Sequence, residues 1–292
     1  MRFLRRRLPG KFLLGTLLLA GLASGPLHPA AAWATGVGVQ PANVELVVSP
    51  GSTVRRVVRV GNLRTDRSQR FLVGLAEWTL DDQGKLKLLP PASDSATSWV
   101  RFTPAKFTLG PAEAQNVVVE IEVPVRVPEA KERRFALLVS NPPSSPDRYK
   151  GKSGVINRFQ TASLFYLTAE GLEPQPAVES VAWDTRDPKS PAIRARVSNR
   201  GRAHARFMAT TVFEDEDGKV VFQGESNIVL VEGQSRDWES HLKLPPLKAG
   251  RYAVTWRVFS AFDPKRPSER SGELLETREW SWEPPAPSRK PS

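Results

Sequence analysis

Residues 99–140 read WVRFTPAKFTLGPAEAQNVVVEIEVPVRVPEAKERRFALLVS, and the fold class follows from this stretch. Val117, Val119, Ile121 and Val123 alternate with Asn116, Val118, Glu120 and Glu122. A period of two marks a strand with one face buried. Pro124 and Pro128 close it, because proline has no N–H to give to a ladder. Upstream, one apolar segment meets Pro104 and a second ends at Pro111; downstream, Phe135 opens another strand. Short strands punctuated by prolines and turns predict an antiparallel sandwich, and they carry no evident catalytic chemistry.

Working outward, residues 37–48 alternate loosely and end in the turn Ser49-Pro50-Gly51. Residues 54–60 alternate cleanly, with arginines at 55 and 59 on one face, and Gly61-Asn62 ends the run. Residues 71–80 form the next strand, Asp81-Asp82-Gln83-Gly84 a turn, and residues 85–89 the return. Residues 155–168 are the last strand of the first half, and EGLEPQP at 170–176 is a proline-bearing linker.

The second half repeats this grammar in the same order. VRVGN at 58–62 matches ARVSN at 195–199, and Arg70-Phe71 matches Arg206-Phe207. DDQGK at 81–85 matches EDEDGK at 214–219, and Leu109-Gly110 up to Gln115 matches Leu230-Val231 up to Gln234. Arg134-Phe135-Ala136 matches Arg251-Tyr252-Ala253. The chain therefore reads as all-β, with two tandem immunoglobulin-like sandwiches of about seven strands each. The expected divisions are 35–169, a linker at 170–176, a second sandwich at 177–283 and a disordered tail at 284–292. Each half also carries a long polar loop before its last strand, at 141–154 and 260–272; loops of that length are usually functional or disordered.

The N-terminus reads as an export signal. Arg2, Arg5, Arg6, Arg7 and Lys11 precede a short apolar run, and Ala32-Trp33-Ala34 supplies an A-x-A end. The run is shorter than the roughly 20 residues that span a bilayer. Cleavage after residue 34 would leave 258 of 292 residues, and the loss of those five bases lowers the formal charge from +11 to +6. The expected location is the periplasm, with no integral membrane segment in the mature chain. Cysteine is absent, so the cores hold without disulfides and thiol chemistry is excluded.

Candidate chemistry is sparse. His204 and His241 stand apart without partner motifs and read as ordinary strand or loop residues. No cluster has the three or four ligands that zinc needs, and no nucleophile elbow or phosphate-cradling loop occurs; the expectation is no metal, no cofactor and no enzyme. Scattered carboxylates leave a glycosidase pair open. Glu214 to Gly218 is a hairpin turn rather than a calcium loop. The tryptophans at 78, 183, 256, 280 and 282 sit in strand-like runs, so core packing accounts for them better than sugar stacking. No arginine–aromatic module suggests nucleic acid.

The strand at 155–168 stands out because neither face is cleanly apolar before Leu164. One row carries Val155, Asn157, Phe159, Thr161 and Ser163. It reads either as an ordinary last strand or as an edge that pairs with another chain by strand addition.

Residues 37–168 resemble the N-terminal domain of PapD-like periplasmic pilus chaperones. The resemblance rests on Thr103-Pro104, Phe107, Leu109, Pro111 and the alternating run to Val123. It continues through Val127-Pro128, Glu132-Arg133, Phe135, Pro142-Pro143 and Gln160-Thr161 up to Leu164-Phe165-Tyr166. It implies a chaperone that lends its last N-domain strand to an incomplete pilin, with two basic residues in the interdomain cleft anchoring the pilin's carboxylate. It also implies pilus or other surface-fibre subunits as partners, together with an outer-membrane usher. This sequence departs from the pattern at the anchor: the two positions fall at Asn43 and Ser163, and Arg158, Lys150 or Lys152 are the substitute bases. The expected function is a periplasmic assembly factor donating an edge strand. The rival is a secreted two-domain adhesion or envelope-binding protein without chaperone activity.

Overall fold

The computed structural model describes residues 36–127, 131–142, 159–187, 191–261 and 272–285. Strands in the first half are β1 (Val37–Gln40), β2 (Asn43–Val48), β3 (Thr53–Asn62), β4 (Gln69–Leu80), β5 (Leu86–Leu89) and β6 (Val100–Thr103). They continue with β7 (Lys106–Leu109), β8 (Ala114–Glu122), β9 (Arg133–Asn141) and β10 (Phe159–Ala169). The second half holds β11 (Pro176–Asp184), β12 (Ala192–Asn199), β13 (Ala205–Glu214), β14 (Val220–Leu230), β15 (Ser235–His241), β16 (Tyr252–Ser260) and β17 (Leu274–Trp282). One short 3-10 turn, Ala96–Trp99, interrupts the strands.

The first half packs sheet β1-β3-β8-β6 against sheet β2-β10-β9-β4-β5, with β7 also paired to β4; the second packs β11-β12-β15 against β14-β13-β16-β17. The period-two run does what its pattern requires. Val117, Val119 and Ile121 on β8 are fully buried, while Glu120 pairs outward with Arg55 across the ladder. Each such buried side chain is worth about 1.5–3 kcal/mol, whereas an exposed ion pair is worth about 0–1 kcal/mol. The inner faces meet in one apolar core per half, around Phe71, Phe135 and Phe165 in the first and Phe207, Phe213 and Trp256 in the second.

The expectation of about seven strands per sandwich holds in the second half and fails in the first, where ten are described. Proline is the reason. Pro41 separates β1 from β2, and Pro104 separates β6 from β7; both are cis. In each case the two pieces belong to different sheets. Among the described strands only β2 runs parallel to a neighbour; its register with β10 begins at Asn43↔Leu164 and ends at Val48↔Ala169.

The internal repeat is physical as well as textual. Asn62 ends β3, and its amide donates to the carbonyls of Arg67, Leu109 and Gly110 at 2.9, 3.3 and 2.7 Å. Asn199 ends β12 and donates to Ala203, Leu230 and Val231 at 2.8, 3.4 and 3.3 Å. Both Oδ1 atoms accept the N–H two residues on, from Arg64 and Gly201. The acidic turns also coincide. Asp81 Oδ1 accepts from the N–H groups of Gln83 and Lys85, and Asp215 Oδ1 from those of Asp217 and Lys219. Gly84 and Gly218 both sit at φ 76°, the left-handed region that an Asx-type hairpin turn asks of glycine.

The segment read as a linker, residues 170–176, is fastened rather than loose. The Glu173 carbonyl accepts from the N–H groups of Arg202 and Ala203, and the Gln175 N–H donates to Asn199 Oδ1. A Cβ on Gly201 would lie 2.4 Å from both the Gln175 nitrogen and the Glu173 oxygen.

Candidate functional site

Two features carry candidate function: the open edge of β10, and the polar junction where residues of the two halves meet.

On β10 the side facing β9 is paired from Phe159↔Asn141 onward. The other side is paired with β2 only from Leu164. The Leu164 N–H donates to the Ala42 carbonyl, so it points toward β2. Since N–H and C=O direction alternates along a strand, Gln160 and Ala162 point the same way and have no hydrogen-bonded strand on that side among the described residues. The cause is local: β1 leaves for the other sheet, and Pro41 interrupts the run that would have covered this edge.

The sequence-predicted residues fall around that point. Thr161 is half-buried. Ser163 is fully buried, and its hydroxyl donates to the Pro41 carbonyl at 2.7 Å. It shares a face with Phe165 and Leu167 of the first core. Its side chain therefore fastens the β1–β2 turn rather than facing outward. Asn43, the other anchor position, is exposed and opposite Leu164 in register. The structure thus brings Asn43 and Ser163 to one place, the point where β2 begins. Val155, Asn157, Arg158, Lys150 and Lys152, and the side chain of Phe159, lie outside the described residues, as does the segment read as an export signal.

The junction was missed by sequence reasoning. Glu132 entered the sequence reading only through the chaperone resemblance and His204 as an ordinary strand or loop residue, yet both side chains are fully buried. Glu132 Oε2 lies 2.6 Å from His204 Nδ1 and accepts the His204 backbone N–H at 3.0 Å and the Thr168 hydroxyl at 2.9 Å. Arg134 donates to Glu132 Oε1 at 3.3 Å. On the other flank Arg206 pairs with Glu45, whose Oε1 is 3.9 Å from His204 Nε2. The Tyr166 ring is stacked at a tilt on His204, 4.1 Å between centroids, with the Arg206 guanidinium over its face at 5.4 Å. Trp78 meets Tyr166 edge-on at 4.9 Å and donates Nε1 to the Phe135 carbonyl at 3.0 Å. It therefore belongs to a small cluster on the outer side of its sheet, packed with Val229 of the second half, and not to the sandwich core.

The electrostatics fit a charged pair. Burial pushes His204 down, but the Glu132 carboxylate, which accepts from its Nδ1, and the nearby Glu45 carboxylate outweigh it and hold the imidazolium above its ordinary range. Burial likewise pushes Glu132 up, and His204 with Arg134 pulls it below the ordinary carboxylate range. Burial lifts the Tyr166 hydroxyl to about 12. These opposed shifts describe an ion pair that closes two halves of a molecule. The signal that could have found it is weak: a lone histidine beside a repeated Arg-Phe step. Among the described residues no group of three His, Cys, Asp or Glu side chains could hold a metal. No helix there is long and apolar enough to cross a membrane.

No protein-family model and no curated protein matches the chain. Among solved structures it is similar to the E. coli chaperone DraB, at 17% identity and TM-score 0.40 over 84% of this chain and 96% of that one. It is similar to the YadV chaperone at 13% identity and TM-score 0.41, over 84% and 100% of the two chains. It also matches the CsuC–CsuE chaperone–tip adhesion subunit pre-assembly complex from archaic Csu pili of Acinetobacter baumannii, at 10% identity and TM-score 0.40, over 84% and 97%. These three solved structures are two chaperones and a chaperone–tip adhesion subunit complex, each less than 25% identical to this chain.

Proposed function

We propose that this protein is an exported, non-enzymatic assembly factor that binds a β-rich subunit of a pilus or related surface fibre by lending it the edge of β10. The single observation carrying the reading is the ladder of β10 before Leu164, bonded on the β9 side and with no described strand hydrogen-bonded on the other. Unpaired N–H and C=O groups are a template for another strand, and strand addition satisfies them while alternate side chains set specificity. The buried junction suits the same role, because it fixes the second sandwich beside the lending edge. The Arg134 and Arg206 guanidinium groups are engaged by Glu132 and Glu45. A carboxylate anchor of the kind the resemblance implies would therefore fall to other bases.

The test is co-purification of the tagged protein from the periplasm. The expected result is a small β-rich subunit in stoichiometric amount, lost when the edge is blocked. Retention on glycan or cell wall with no protein partner would favour the rival reading of an envelope-binding protein.

A further inference from the structure

A second site lies at the open end of the first sandwich, away from the β10 edge. There the two sheets part around a cavity of about 400 Å³. Its walls include Val48, Val123 and Leu167, all buried, and the half-buried Trp99. Val125 lines it while 78% exposed, a large apolar side chain held at the mouth. One wall is cationic. Arg133 opens β9 on the same face as Phe135, Leu137 and Val139, so the alternation that fills the core delivers a guanidinium to its end.

Arg133 is only 7% exposed. Its Nη1 donates to the Asp94 carboxylate at 2.7 Å and to the Asp94 carbonyl at 3.1 Å. Nε and Nη2 are shielded from water and have no acceptor among the described residues. Those two nitrogens form the side-on edge of the guanidinium, the edge that grips a carboxylate with two parallel bonds. The same chain uses that edge elsewhere: Arg64 holds Asp66 with Nε and Nη2, both at 2.8 Å, and Arg186 holds Asp184 likewise. A buried charged donor pair without an acceptor is costly, and native structures rarely keep one without a use. Arg126 and Lys131 also line the cavity, against one acid, Glu170; Lys131 additionally lies 3.9 Å from Asp94.

We propose that this cavity binds a small amphiphile with one carboxylate and an apolar tail. The carboxylate sits at the cationic wall of Arg133, Arg126 and Lys131, and the tail lies among Val48, Val123, Leu167 and Trp99. A pocket of this size with an apolar lining and one convergent polar group suits a small ligand. Its enclosure between two sheets favours a free fatty carboxylate over the end of a peptide chain.

The experiment is titration of the full chain with octanoate, followed by calorimetry and by the fluorescence of the tryptophans, with 1-octanol and acetate as matched controls. The expected result is one-to-one octanoate binding, with octanol and acetate each weaker by about tenfold or more, as loss of a charge-assisted hydrogen-bonded pair or of the tail requires. Arg133→Met should abolish the preference for octanoate over octanol, and Ala169→Leu, narrowing the cavity, should weaken both. Thermal melting checks that each variant is folded, and the octanoate-to-octanol ratio on the unaltered protein stands even if one is not. Equal binding of octanoate and octanol, octanoate binding unchanged in Arg133→Met, or no octanoate binding at millimolar concentration would each overturn the proposal. So would capture of a peptide with a free apolar C-terminus by a protein that ignores octanoate.

Discussion

Glu132 and His204 lie 72 residues apart in sequence, in different sandwiches, and meet at 2.6 Å with both side chains sealed from water. Removing one partner strands the other as a buried charge. His204→Gln should therefore lower stability by about 3–5 kcal/mol, as breaking a buried pair typically does. The pH dependence has a fixed sign. His204 is raised, so its contribution is full below its ordinary value of 6.5 and fades as pH climbs through the raised folded value. Glu132 is lowered, so its contribution is full above its ordinary 4.5 and fades as pH falls through the depressed value. The stability difference between the parent and His204→Gln should peak between pH 4.5 and 6.5 and shrink on both sides. Thermal unfolding of both proteins across pH measures it; a flat difference would mean that the pair is not ionised.

The lending edge predicts a selective lesion. Ala162 points its N–H away from β9, so Ala162→Pro removes a donor that no described strand uses. Proline is tolerated on an edge, and melting should change by about 1 kcal/mol or less. Partner capture should fall at least tenfold. Leu138→Pro on β9, opposite Ala162 and between two strands, should instead unfold the first sandwich. A folded Ala162→Pro protein that captures its partner normally would remove this edge from the mechanism.

Asn62 and Asn199 predict a symmetric outcome. Each amide donates to three carbonyls, and its loss leaves buried acceptors unsatisfied. Asn62→Ala and Asn199→Ala should each cost about 2 kcal/mol or more, each in its own sandwich. Hydrogen exchange localises the effect; protection lost equally in both halves from a single substitution would contradict it.

The twin glycines separate turn strain from junction packing. A Cβ at Gly218 meets nothing within 4 Å, while one at Gly84 would fall 1.4 Å from Arg236 Nη1. Gly218→Ala should cost the left-handed penalty alone, about 1–2 kcal/mol. Gly84→Ala should cost that and also displace Arg236, which donates to the Val229 carbonyl at 2.9 Å. A further loss of about 1 kcal/mol is expected, and Arg236→Ala should remove the difference between the two glycine variants.

The fastened linker predicts that limited proteolysis spares residues 170–176 in the parent. Gly201→Ala places a methyl group against the backbone of Glu173 and Gln175, and such overpacking costs about 1–3 kcal/mol. The variant should be cut there, yielding two fragments if the halves are separate domains. Cleavage of the parent at the linker before any loop would refute this account of it.

How much of this was legible depended on the range of each signal. The alternation in 114–123, the Asp-Gly turns and the ordered matches between halves are local, and each corresponds to a strand, a turn or a shared asparagine in the structure. The strand count of the first half was not legible, because Pro41 and Pro104 mark an interruption without saying that the chain changes sheets. Ser163 lay in a row proposed to face a partner. Its burial against the Pro41 turn depends on where β2 begins, which no periodicity encodes. His204 looked ordinary because its partners, Glu132 and Glu45, are remote in sequence. A junction built from single residues leaves no repeating pattern to read.

The two asparagine amides have one more consequence. Asn62 ties the end of β3 to a chain position 47 residues away, and Asn199 ties β12 to one 31 residues away. They cross-link in the manner of a rivet, but with bonds that open and close unaided. A cross-link of this kind needs no oxidant to form and resists no reductant. With no cysteine in the chain, the protein should refold from denaturant at the same rate with or without dithiothreitol.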